Sequence, residues 1–243
     1  ASDVYKRQLH GGAFVVCGLG THRSIAARLA RACEVPVFAL EYRQLPKAGV
    51  GTSVADAVDA YTELIRERGY RRVIVAGDSA GGFLAAKVVE AAAQRDLPAP
   101  AALIGFSPLL DLDLGDNPDR SSRSDAYLPK SKMARLATLF DRGPIPLTGA
   151  RRIRDVDATI FPPTAFITAE GEMLEPDVVE LVETLDAAGV DAVAHSYAWQ
   201  VHAFPVLAVH HPETLHAIDV TAAFAVQAIR EGKDADNREE RAG

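Results

Sequence analysis

The chain has 243 residues, 48% of them hydrophobic and 24% charged, with 18 Gly and 14 Pro, which bounds it to one large folded domain or two small ones. Its net charge of −7 opposes a polyphosphate partner, and no run of about eighteen uncharged apolar residues offers a membrane span. Disorder, collagen and a disulfide scaffold are excluded on the same grounds.

Cys17 and Cys33 have no CxxC spacing and no histidine at metal-ligand distance, so they are expected to be small buried side chains; neither a metal nor a cofactor is implied. This fits a reducing, cytoplasmic setting, with a single bridge between them left open. In chain order, the first feature is the glycine pair after His10. Val35 to Leu40 then reads as a strand. Ser53 can cap a helix that places Val54, Ala55, Val58, Tyr61 and Ile65 on one stripe and ends at Gly69. Arg72 to Ala76 is nearly unbroken in apolar character, as a strand buried on both faces should be. A helix from Ala80 to about Gln94 follows, then a strand over Ala101 to Phe106.

Residues 107–163 form a long connection of Asp, Ser, Pro and Arg clusters around one helix, Lys132 to Phe140. A connection of that length in a compact domain usually carries function. Strands are predicted at Thr164 to Thr168 and Ala192 to Tyr197, with a helix from Asp177 to Ala188 started by Pro176. A last helix starts at Pro212 and Glu213 and runs to about Glu231, before a charged tail expected to fray. Alternating strands and helices make a single α/β domain with a mostly parallel sheet the economical architecture.

Gly77-Asp78-Ser79-Ala80-Gly81 fits G-x-S-x-G and lies where the motif needs to be, between a strand and a helix. The glycines are needed because a serine held in a strained strand-to-helix turn leaves no room for neighbouring Cβ atoms. Ser79 is therefore the candidate nucleophile. Upstream, His10-Gly11-Gly12-Ala13-Phe14 reads as a loop whose N–H groups could face an oxyanion, which assigns that role to Gly12 and Ala13, joined by Ala80. Ala13 replaces a third glycine but still supplies an N–H. The order nucleophile, acid, base points to His202, in the loop after the last strand, as the base. For the acid, Glu172 is preferred, with Glu170 and Asp177 as fallbacks.

These residues resemble the hormone-sensitive-lipase-like carboxylesterases of the α/β-hydrolase fold. The resemblance covers His10 to about Leu207 and rests on His10-Gly11-Gly12-Ala13, Glu41-Tyr42-Arg43-Gln44-Leu45-Pro46, Gly77-Asp78-Ser79-Ala80-Gly81-Gly82, Ser107-Pro108, Glu172-Met173-Leu174 and His202-Ala203-Phe204. Two departures stand out. The acid is Glu where the family more often has Asp, and the N-terminal cap and first strands of the family are not represented. The strand leading into His10 would have to be Val4 to Leu9, whose consecutive polar side chains suit a buried parallel strand poorly. Residues 1–8 are accordingly expected to be a non-native leader, residues 9–231 the hydrolase domain with 107–163 as a pocket or lid insertion, and 232–243 a charged tail.

The resemblance implies hydrolysis of short to medium acyl esters through an acyl-enzyme, with a small-molecule ester as partner, no nucleic acid, and a homodimer left open. Phe14, Met133, Leu136, Leu139, Phe140 and Phe204 are candidate pocket walls. An arylformamidase-like amidohydrolase would use the same groups. A non-catalytic relative of the fold, or a catalytically weakened fragment of a hydrolase, would carry much of the same pattern.

Overall fold

The computed structural model describes residues 4–114, 120, 125, 127, 128 and 130–242, with the backbone alone at 4–7, 130, 235–237 and 239–242. Six strands form one parallel sheet: β1 (Val4–Leu9), β2 (Val37–Leu40), β3 (Arg72–Asp78), β4 (Ala102–Phe106), β5 (Thr164–Ala169) and β6 (Ala192–Tyr197). Their spatial order is β2-β1-β3-β4-β5-β6. The helices are α1 (Leu19–Cys33), α2 (Val50–Thr62), α3 (Ala80–Gln94), α4 (Lys130–Ala137), α5 (Glu175–Ala187), α6 (Phe204–Leu207) and α7 (Pro212–Ala242). Among the described residues, no helix is long and apolar enough to cross a membrane.

Side chains alternate across the sheet because successive residues of a strand face opposite sides. Val73, Val75, Leu103 and Phe166 join a core with residues of α2, α3 and α5, including Tyr61, Phe83 and Leu181. Ile74, Ala76, Ile104 and Ile167 join the opposite core with Ile25 and Leu29 of α1 and Ala225 of α7. Both faces are covered, as a parallel sheet requires.

The structure corrects several expectations. The polar stretch Val4–Leu9 forms a strand between β2 and β3, with Leu9 level with Leu40 on one side and Gly77 on the other. Its backbone groups are satisfied by two neighbours whatever its side chains, and buried Gln8 donates from Nε2 to Asp78 Oδ1 at 3.4 Å. Helix α1 was not anticipated because arginines dilute its stripe of His22, Ile25, Leu29 and Cys33. Ser53 is not a cap. Helix α2 starts at Val50, whose N–H donates to Phe140 O at 2.8 Å, and the Ser53 hydroxyl donates to Arg43 O. A distant turn thus satisfies a helix N-terminus that the local sequence does not.

Helix α4 starts and ends earlier than expected, leaving Phe140 in the turn beyond it. Helix α7 continues to Ala242, through the segment expected to fray, whose Lys, Glu, Arg and Ala residues have high helix propensity. Cys33 is buried as expected, whereas Cys17 is exposed.

Candidate active site

Because all six strands run in parallel, the loops after β1, β3, β5 and β6 gather along one edge of the sheet, where α/β folds bind their ligands. Strand β3 ends at Asp78 and α3 starts at Ala80, so Ser79 must reverse the chain alone, at φ 49° and ψ −122°. Three hydrogen bonds hold this strained conformation: Ser79 N–H to Phe106 O at 3.0 Å, and the N–H groups of Gly82 and Leu109 to Ser79 O at 2.9 and 2.8 Å. A Cβ on Gly81 would lie 2.0 Å from Leu9 O, so only glycine lets α3 approach the end of β1.

In the loop after β1, Gly12, Ala13 and Phe14 have φ of 113°, 52° and 62°. Three successive positive values curl the chain back on itself, and the N–H groups of Val15 and Val16 close the turn on Gly12 O. Ala13 keeps its N–H, at the cost of a left-handed conformation worth about 1–2 kcal/mol for a residue with a Cβ. Its neighbour His10 is buried, stacks on Tyr42 at 4.3 Å and accepts a Tyr42 hydroxyl hydrogen bond on its carbonyl at 2.7 Å. Burial pushes the His10 pKa below its ordinary value and the Tyr42 phenol well above its own.

His202 follows β6 in a loop strained at Trp199 and Ala203, with φ of 62° and 53°. Its Nδ1 lies 2.7 Å from Glu172 Oε2, and both side chains are 2% exposed. Glu172 Oε1 accepts the Ala169 N–H at 3.0 Å, which locks the carboxylate's orientation. The Ala203 N–H donates to the Ser107 hydroxyl at 2.9 Å, and the Tyr127 ring stacks 6.1 Å from the His202 ring.

Other carboxylates of this turn have different partners. Glu170 is exposed, Glu175 accepts from Thr168, Gly171 and Ser196, and Asp177 is paired with Arg120 at 2.6 Å. The C-terminal histidines are likewise engaged elsewhere: His210 with Arg28, His211 with Glu213 and His216 with Tyr197.

Ser79, His202, Gly12 and Ala13 border one cavity of about 230 Å³, closed further by Tyr127, Leu128, Val206 and Leu207. Ala80 is fully buried behind it, in the first turn of α3, where helix N–H groups lack intrahelical acceptors. The expected aromatic walls are not there. Phe14 packs edge-on against Phe83 and Phe140 in the core, Met133 is buried with them, and Phe204 belongs to the core on the other face. Leu136 and Leu139 border a separate concavity along α4. Size and apolarity mark a core side chain as readily as a pocket wall.

Asp78, His22, Cys17, Tyr127 and Leu128 also line the cavity, and sequence reasoning gives them no such place. Only Asp78 carries a signal, as the variable residue inside the serine motif. Among the described residues, no group of three His, Cys, Asp or Glu side chains is arranged to hold a metal ion.

A family model described as alpha/beta hydrolase fold matches residues 7–206. The chain belongs to that family. This hydrolase-fold chain is 34% identical over 225 residues to the carboxylesterase/phospholipase LipF of Mycobacterium tuberculosis, covering 89% of this chain and 60% of LipF. It therefore spans about three fifths of that relative's length. It is 32% identical to an acetyl-hydrolase of Streptomyces hygroscopicus, over 92% of this chain and 76% of the relative. Among solved structures, an esterase from the bacterial hormone-sensitive lipase family superposes with a TM-score of 0.86 at 29% identity, over 94% of this chain and 78% of that one.

Proposed function

We propose that the chain is the catalytic domain of a serine hydrolase that cleaves carboxylic esters. The observation that carries this reading is the buried 2.7 Å contact between His202 Nδ1 and Glu172 Oε2, in a loop bordering the same cavity as Ser79. A carboxylate on Nδ1 keeps the proton there and leaves Nε2 to act as a base. Ser79 Oγ attacks the ester carbonyl as His202 Nε2 takes its proton, and the tetrahedral oxyanion is held by the N–H groups of Gly12, Ala13 and Ala80. His202 then returns the proton to the departing alcohol. Water, deprotonated by the same imidazole, releases the acid and restores Ser79.

Short to medium acyl chains fit the size of the cavity, about 230 Å³ against the roughly 300–1,000 Å³ of sites for drug-sized ligands. The relative named an acetyl-hydrolase agrees with a small acyl group. The 107–163 connection is the pocket-forming insertion, through Tyr127 and Leu128 on the cavity wall.

Hydrolysis of p-nitrophenyl esters of graded acyl length by the parent and Ser79→Ala tests this. The parent is expected to prefer the shorter esters, and Ser79→Ala to lose at least about 10⁴-fold in kcat. Equal rates in both would overturn the assignment, and faster turnover of formanilide than of esters would redirect it to an amidohydrolase.

A further inference from the structure

Asp78, the residue immediately before Ser79, is 3% exposed. A carboxylate buried so deeply requires donors, and three converge on it from β1, the loop after β1 and α1. The Gly11 N–H donates to Oδ2 at 3.0 Å, His22 Nε2 lies 3.1 Å from the same oxygen, and Gln8 Nε2 reaches Oδ1 at 3.4 Å. A Cβ on Gly11 would lie 2.2 Å from Asp78 Oδ2, so glycine at this position is what admits the carboxylate to the loop backbone.

His22 stands behind this contact, on α1 and 3% exposed. Its other ring nitrogen, Nδ1, lies 2.8 Å from Thr21 Oγ1, which itself lies 2.8 Å from Gly18 O. When the Thr21 hydroxyl donates to Nδ1, the ring proton is on Nε2, facing Asp78. A ring nitrogen that faces a carboxylate oxygen has to be the protonated one, so Nε2 donates to Asp78.

We propose that His22 is a positioning residue: through Nε2 it holds the Asp78 carboxylate on the Gly11 N–H, and so fixes the loop bearing Gly12 and Ala13 relative to the serine elbow. The inference rests on the serine-hydrolase reading above. Its physical basis is that Asp78 is covalently joined to Ser79 while its carboxylate grips Gly11, one residue before Gly12. One side chain therefore sets the spacing between the nucleophile and two oxyanion donors. Without the imidazole, Oδ2 loses a donor, and the carboxylate is free to rotate away from the loop. Donors misplaced by a fraction of an ångström stabilise the transition state less while leaving ground-state binding intact.

The test is steady-state hydrolysis of p-nitrophenyl acetate by the parent, Ser79→Ala, His22→Gln, His22→Asn and His22→Phe. The Gln amide reaches as far as Nε2 and is expected to keep kcat within about threefold of the parent. Asn is too short and Phe has no donor, so both are expected to lower kcat about tenfold or more, with KM within about twofold. Equal kcat in the Gln and Asn variants, or a loss carried by KM, overturns the inference. If His22→Phe does not melt cooperatively, the Gln and Asn pair decides the matter. Equal hydrolysis by the parent and Ser79→Ala would instead remove the serine-hydrolase reading, and the role of His22 with it.

Discussion

The turn after β3 and the turn after β5 lie at the same edge of the sheet and each carries a residue of the candidate site, yet different forces specify them. At the first, Gly77 to Gly82 admit one path for the chain, because added Cβ atoms would collide with backbone. At the second, Glu170, Glu172, Glu175 and Asp177 crowd one short segment, and each is assigned by a partner remote in sequence or by solvent. Steric exclusion is local, whereas the fate of a charge depends on what the fold brings to it.

The largest expected effect separates the carboxylates by function. Glu172→Gln should lower kcat by about 10³–10⁴-fold, the scale for removing the charge that orients a catalytic imidazole, while Glu170→Gln stays within about twofold. Kinetics at saturating ester would show it, and equal losses in the two variants would erase the distinction between them. Next is the steric turn: Gly81→Ala forces a Cβ to 2.0 Å from Leu9 O and should cost at least about 3 kcal/mol in urea denaturation, with activity falling in parallel. A neutral substitution would mean that the elbow is not set by close approach.

Asp177→Ala should cost about 2–3 kcal/mol by removing a carboxylate from buried Arg120, while Asp111 remains 3.1 Å from it. Because this pair lies outside the cavity bordered by Ser79, kcat of the folded fraction should be unchanged. The smallest effect concerns pH. Burial lowers the His10 pKa, so the folded state favours the neutral ring. Its contribution to stability is complete above the unfolded value of 6.5 and is lost as pH falls below it, toward the depressed folded value. Thermal melts of the parent and His10→Asn across that range should converge as pH falls; a constant gap would remove His10 as the source.

The order of strands and helices from β2 onward was legible because it rests on near-neighbour pattern: apolar runs for strands, stripes for helices, Gly and Pro for boundaries. The same is true of Ser79 and its glycines, whose requirement is steric and local. β1 is poorly legible because its side chains are polar while its pairing is made by the backbone. Helix α1 was missed because its arginines thin the apolar stripe without breaking it.

By itself, the sequence determined the fold class, the position of Ser79 at a strand-to-helix turn and the residues eligible to accompany it. Only the tertiary structure decided which carboxylate meets His202, which side chains wall the cavity, and that Gln8, His22 and Gly11 converge on Asp78. Such choices are contacts between residues far apart in the chain, 70 positions for Gln8 and Asp78 and more across the cavity. A charged or aromatic side chain is equally compatible with solvent, core or site until the fold supplies its neighbours.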